Sequence, residues 1–239
     1  MTLRSPVVVG CMSAKVLPAG LGDDAPTEAA GPFGAGVGHH GEVRVAGLLL
    51  TGGASRRLGR DKATLPLPGG TTLARRTAAL LSAVADPALE LGPGVSGLDH
   101  VPDPTAPTGP LAAVAGGVVA LRRRGWEGPA LVVATDLPRL SAGLLQWLAA
   151  YPVPRSVVPC VDGRPQWLCA RYSPAALAAA GSLVAGGERA VRLLAEVAPV
   201  ELAPAEECAA AADSSVLADV DRPEELALLR ASLPGAARS

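Results

Sequence analysis

Two short stretches of the chain, VAGLLLT at Val45–Thr51 and PALVVAT at Pro129–Thr135, carry no charge and no polar–apolar alternation. A strand with one wet face would alternate at period two, and a helix would need ten or more residues. Runs this short and this uniformly apolar are strands covered on both faces, the situation of parallel strands in an α/β sheet. Parallel neighbours need a crossover connection, usually a helix. Suitable segments stand between the two runs. Thr71–Asp86 opens on threonine and spaces leucine and alanine at helical intervals. Gly109–Gly125 has Pro110 near its first turn, three arginines at its end and Gly125 beyond, the order of helix start and stop chemistry.

The alternation continues to the end of the chain. ALELG is a short strand candidate, a helix begins at Ser141, and RSVVPCV and QWLCARY are strands joined by a hairpin turn at DGRP. Helices follow near Ser173–Val184 and Glu188–Val197, then a strand near Val200, a strand at Val216–Asp221 and a helix opening at RPEELALLR. The pattern predicts a three-layer α/β/α, Rossmann-like domain over residues 45–233. Its sheet is mixed but mostly parallel, with a small antiparallel hairpin portion around Gly163. Residues 1–44 show neither period and are rich in Gly, Ala and Pro, so they read as a flexible extension with His39 and His40 solvated. A start codon assigned too early would also account for them. Residues 234–239 read as a disordered tail.

Composition narrows the function classes. Apolar residues make up 49% but aromatics only 3%, so alanine, leucine and valine build the core. With 21 basic and 22 acidic residues the net charge is -1, which argues against a dedicated nucleic-acid binder or a membrane-surface protein. The four cysteines are scattered, with neither a metal-binding spacing nor a disulfide framework, and are expected to be reduced thiols. No apolar run reaches the length of about 18 residues that spans a bilayer. The run before Cys11 is shorter than the about 7–15 residues of an export signal. The expectation is a cytoplasmic protein.

The first apolar strand runs into LTGGASRRLGRDK, Leu50 to Lys62. In an open α/β sheet ligands bind at the carboxyl ends of the strands, so this loop overhangs the ligand side. Glycines let backbone N–H groups approach an anion, and arginine and lysine supply countercharge. One such cation–anion pair at about 4 Å is worth about 4 kcal/mol near a protein surface, so a triphosphate is a suitable ligand. The spacing is neither G-x-x-x-x-G-K-[ST] nor G-x-G-x-x-G, which excludes the P-loop and the dinucleotide fingerprint.

The spacing L-x-G-G-x-S-x-R-x-G-x-D-K resembles the signature of nucleotidyltransferases of the nucleotide-diphospho-sugar transferase superfamily. Within it, the chain resembles the molybdenum cofactor guanylyltransferase family over roughly Val45 to Leu229. VPDPTAPTGPLAAV looks like the family's aspartate followed by G-P-L-A-G, and VVATDLPRL like its strand-end C-D-x-P. GGERAVRLL is similar to a G-E-R loop on the acceptor side, and ADVDRPEEL to the family's C-terminal N-V-N-T-P-E-E-L.

The resemblance implies transfer of GMP from GTP to the molybdopterin form of the cofactor, with pyrophosphate released and Mg2+ required. It implies that Leu50, Thr51, Gly52, Gly53, Lys62 and Asp103 bind the nucleotide, that Lys62 and Arg56 offset phosphate charge, and that Asp136 holds magnesium. Residue types alone leave Asp136 open between metal ligand and helix N-cap, and Asp221 open between second metal ligand and cap; Asp103 alone would read as a turn. Cofactor-delivery proteins or molybdoenzymes are the further partners implied. A relative using CTP or another phosphorylated acceptor would keep the same loop, and a nucleotide-binding protein without turnover is the alternative from another class. The chain departs from the family at Gly92 and Pro93, where an asparagine helps hold the nucleotide, at RPQWLCARY in the hairpin, and at Asp219 and Asp221, where asparagines are usual. His100 is the one histidine within the predicted domain, and an ionised phosphate nucleophile needs no general base.

Overall fold

Residues 44–52, 62–67, 69–102, 109–137, 140–151, 154–161, 163–204 and 207 are described by the structure, a computed structural model. Four parallel strands form one side of the sheet in the order β3-β2-β1-β4: β1 (Ala46–Leu50), β2 (Ala88–Leu91), β3 (His100–Val101) and β4 (Ala130–Ala134). Both uniformly apolar runs are buried at every strand residue, as strands covered on two faces must be.

Side-chain alternation then divides the apolar residues between two cores. Leu48, Leu50, Ala130 and Val132 pack beneath α2 (Pro110–Arg123) and α4 (Pro174–Ala185). Val45, Leu49, Leu131 and Val133 pack against α1 (Leu73–Ser82) and α3 (Ala142–Ala150). The helices start where the sequence supplies hydroxyls. Thr72, Ser141 and Ser173 accept the N–H groups of Arg75, Leu144 and Ala176.

From β1 the chain crosses through α1 to β2 on one side, and after β3 it returns through α2 to β4 on the other. Strand order therefore reverses between β1 and β4, the kind of position where α/β sheets open a ligand crevice.

On the far side of the sheet the expected antiparallel hairpin around Gly163 forms, with its second strand interrupted. Gln166–Leu168 is not strand, and β7 (Cys169–Tyr172) lies between β4 and β5 (Ser156–Val161), antiparallel to both. At the turn itself β5 pairs with the two-residue β6 (Arg164–Pro165), while β8 (Val200–Pro204) lies parallel to β5. Every residue of β7 is buried, which demands a central place, whereas Pro165 cannot donate to a ladder and sits at an edge.

Among the buried residues of β7, Arg171 donates to the carbonyls of Ala149 and Tyr151 and so ties down the end of α3. The helix expected over Glu188–Val197 is shorter: a 3-10 turn at Val191–Leu193 leads into α5 (Leu194–Val197), because Ala190 is extended and the Arg189 carbonyl is bound by another segment. Val216–Asp221 and RPEELALLR lie outside the described residues. No helix among the described residues is long and apolar enough to cross a membrane.

Candidate functional site

The ends of β2, β1 and β4 are fastened together one residue before the candidate site begins. Leu50 and Ala134 are register partners, and the Thr135 N–H donates to the Leu50 carbonyl at 3.3 Å. On the other side, the N–H groups of Thr51 and Gly52 both donate to the Leu91 carbonyl, at 3.1 and 3.3 Å. Gly52 and Asp136 consequently leave the sheet side by side at the switch point.

The side chains of Leu50 and Thr51 both turn away from the rim. The Leu50 side chain lies in the core, and the Thr51 hydroxyl turns inward and donates to Oε1 of Glu90 at 2.6 Å. Gly52 is exposed. Its amide is directed at Leu91, so it is not the first donor available to a ligand.

Asp136 sits half-buried in the turn after β4. Ser141 caps α3 by accepting the Leu144 N–H at 3.2 Å, so Asp136 is not that helix's cap. Arg76 on α1 donates to the Leu140 carbonyl at 3.0 Å and holds the far end of the same loop; burial lowers the pKa of its guanidinium. Lys62 opens a 3-10 turn, and the segment after it is secured to the start of α1 by Leu73 N–H to Leu65 O and Leu67 N–H to Thr71 O.

The loop after β2 holds a feature that the sequence reading passed over. Glu90 is completely buried on β2, yet it accepts the N–H groups of Gly94 and Val95 on Oε1 at 2.7 and 2.9 Å and of Ser96 on Oε2 at 2.7 Å. Burial by itself would raise the carboxyl pKa. The hydrogen bonds from Ser96, Thr51 and Val95 outweigh it and hold the group below the ordinary carboxylate range. The available signal was a lone carboxylate inside the apolar strand ALEL, immediately before the glycine-rich GPGVSG.

Gly92, where an asparagine was expected by resemblance, has φ +149. A Cβ there would collide with the Thr51 hydroxyl and stand 2.8 Å from the Gly52 amide nitrogen. A side chain at this position would displace the end of β1.

Across the rim, the GPL and GER stretches meet. Gly109 has φ +80 and precedes α2, and the Leu111 N–H donates to the Arg189 carbonyl at 3.1 Å. His100 is exposed on β3, with its ring beside Gly94.

Gly53, Arg56, Asp103 and Asp221 lie outside the described residues, as does the side chain of Lys62. Counted from Leu50, the arginine of the L-x-G-G-x-S-x-R spacing is Arg57, so the assignment to Arg56 is corrected to its neighbour. No group of three or more His, Cys, Asp or Glu side chains able to hold a metal occurs among the described residues.

Comparison with known proteins agrees with this fold. A family described as the MobA-like NTP transferase domain matches residues 47–200. A Mycobacterium bovis (strain BCG / Pasteur 1173P2) protein named "Probable molybdenum cofactor guanylyltransferase" is 38% identical over 160 residues, covering 64% of this chain and 79% of the relative. A protein of the same name from Mycobacterium marinum (strain ATCC BAA-535 / M) is 34% identical over 189 residues, covering 76% and 94%. Among solved structures, molybdopterin-guanine dinucleotide biosynthesis protein A from Archaeoglobus fulgidus superposes with a TM-score of 0.64 at 20% identity, covering 78% of this chain and 97% of that one. That likeness establishes the three-layer fold.

Proposed function

Because the chain belongs to the MobA-like NTP transferase family, we propose that it transfers GMP from GTP to the molybdopterin form of the molybdenum cofactor, releasing pyrophosphate. The chain is a nucleotidyltransferase, and the two substrates are those that the name of its mycobacterial relatives implies. One observation carries the assignment to this site: the register of Leu50 with Ala134 brings the start of the glycine-rich loop and Asp136 out of the sheet together.

In the proposed reaction an oxygen of the acceptor's terminal phosphate attacks the α-phosphorus of the nucleotide in line. The bond from that phosphorus to the bridging oxygen breaks, and pyrophosphate leaves. The attacking phosphate is already ionised, so no side chain has to take a proton. The protein's contribution is orientation and charge stabilisation. Since the Gly52 amide is directed at Leu91, the phosphate contacts are assigned to the amides from Gly53 onward. Lys62 and Arg57, with Arg56 beside it, offset charge on the transferred and leaving groups. Asp103 contacts the nucleotide.

A magnesium ion suits the residues present. Magnesium takes one or two carboxylates and completes its shell with phosphate and water, and Asp136 offers a hard oxygen donor at the strand end. Asp136 would hold the ion, with Asp221 as second ligand, and the ion would neutralise phosphate charge.

A relative using CTP would keep the same loop, so CTP is the alternative donor. The test is a pyrophosphate-release assay with each of the four NTPs, with and without molybdopterin. Release that requires both GTP and molybdopterin is expected. Release with CTP alone among the four would move the assignment to cytidylyl transfer, and GTP binding without any release would overturn the enzyme assignment.

A further inference from the structure

A fully buried carboxylate is costly unless hydrogen-bond donors satisfy it. On β2, Leu89 and Leu91 flank Glu90 and are buried in the apolar core, so the strand itself has no use for a charge there. What the carboxylate holds lies outside the strand. Oε1 receives the Thr51 hydroxyl together with the amides of Gly94 and Val95, and Oε2 receives the amide of Ser96. Thr51 is the last residue before the glycine-rich loop, while Gly94, Val95 and Ser96 belong to the loop between β2 and β3. That second loop has glycines with positive φ at 92, 94 and 97, which leaves its conformation weakly specified by its own side chains. One carboxylate therefore ties the β2–β3 loop to the end of β1, where the glycine-rich loop begins, next to the switch point.

We propose that Glu90 is a positioning residue for the nucleotide: through its bonds to Thr51, Gly94, Val95 and Ser96 it holds the β2–β3 loop and the start of the glycine-rich loop as one preformed platform for the donor NTP. The inference rests on the nucleotidyltransferase reading above and adds to it a residue that never touches substrate. Preorganisation of this kind lowers the ordering cost of binding. Its loss falls on the nucleotide, because the acceptor-side contact between Leu111 and Arg189 belongs to other elements.

The test uses the full chain and GTP in magnesium-containing buffer. Glu90→Gln keeps the size of the side chain but replaces one acceptor oxygen with an NH2 group facing backbone N–H donors. The expected result is a folded variant whose GTP Kd and KM rise at least tenfold, while the KM for molybdopterin stays within twofold. A folded variant with unchanged GTP affinity overturns the inference, as does one that loses both substrates equally.

Hydrogen exchange on the unsubstituted protein gives a second measurement that does not depend on the variant folding. GTP is expected to slow exchange at Thr51, Gly94, Val95 and Ser96 together, and failure of the three loop amides to respond overturns the inference. Unsubstituted protein that binds none of the four NTPs overturns the reading beneath it instead, so the two failures are distinguishable.

Discussion

The backbone N–H of Leu111 donates to the carbonyl of Arg189 across 3.1 Å, so the first turn of α2 and the segment before the 3-10 turn are docked on each other. Gly109 makes the approach possible. Its φ is +80, and a Cβ there would lie 2.9 Å from the Arg189 carbonyl oxygen. Gly109→Val should therefore cost about 1–3 kcal/mol, from a strained backbone and a displaced partner. Because the GER stretch is assigned to the acceptor side, the KM for molybdopterin should rise more than the KM for GTP. Thermal melting and initial-rate kinetics check both parts, and an unchanged molybdopterin KM would remove the acceptor assignment.

Gly92→Ala should disturb the opposite side of the rim. The added methyl meets the Thr51 hydroxyl and the Gly52 backbone at a φ of +149, so the end of β1 must shift. A stability loss of about 1–3 kcal/mol is expected, with weaker GTP binding. Denaturant unfolding and nucleotide titration measure the two effects, and wild-type values for both would show that the turn tolerates a side chain.

Lys62→Ala and Asp136→Ala are each expected to abolish pyrophosphate release and leave the circular dichroism spectrum and melting temperature near wild type. Asp136 is half-buried in a turn and is not among the core residues of either layer. Turnover near wild type in either variant would sink the corresponding site assignment.

The Glu90 carboxyl has its pKa below the ordinary value in the folded protein, since its hydrogen bonds favour the charged form. Between the two values the unfolded chain binds more protons than the folded one, so stability falls as pH falls. The contribution is complete above the ordinary carboxylate pKa and disappears as pH drops through the lowered native one. Glu90→Gln cannot titrate there. The melting temperature of the unsubstituted protein should thus fall more steeply than that of the variant as pH drops through and below the ordinary carboxylate range. Parallel curves would show that Glu90 does not contribute to the acid limb.

Patterns set by near neighbours were legible without coordinates. The unbroken apolar runs announced strands buried on both faces, and Thr72, Ser141 and Ser173 marked helix starts because a cap bonds only a few residues ahead. The spacing from Leu50 to Lys62 excluded the P-loop, since phosphate loops are themselves local structures. Pairing between distant segments was less legible. QWLCARY was read as the partner of RSVVPCV, and β7 does pair antiparallel with β5; its second pairing, with β4 along all four residues, joins segments that no local pattern connects.

Local chemistry thus set the class of fold, the glycine-rich loop after β1 and the aspartate at the end of β4. Long-range packing settled which neighbouring groups are held elsewhere. The Thr51 hydroxyl is spent on Glu90, and β1 passes too close to Gly92 for a side chain there. Glu90 stood in the sequence as one charge in an apolar strand. Its purpose required three loop amides and a threonine from the neighbouring strand end to converge on it, and such convergence of remote groups leaves no periodicity to read.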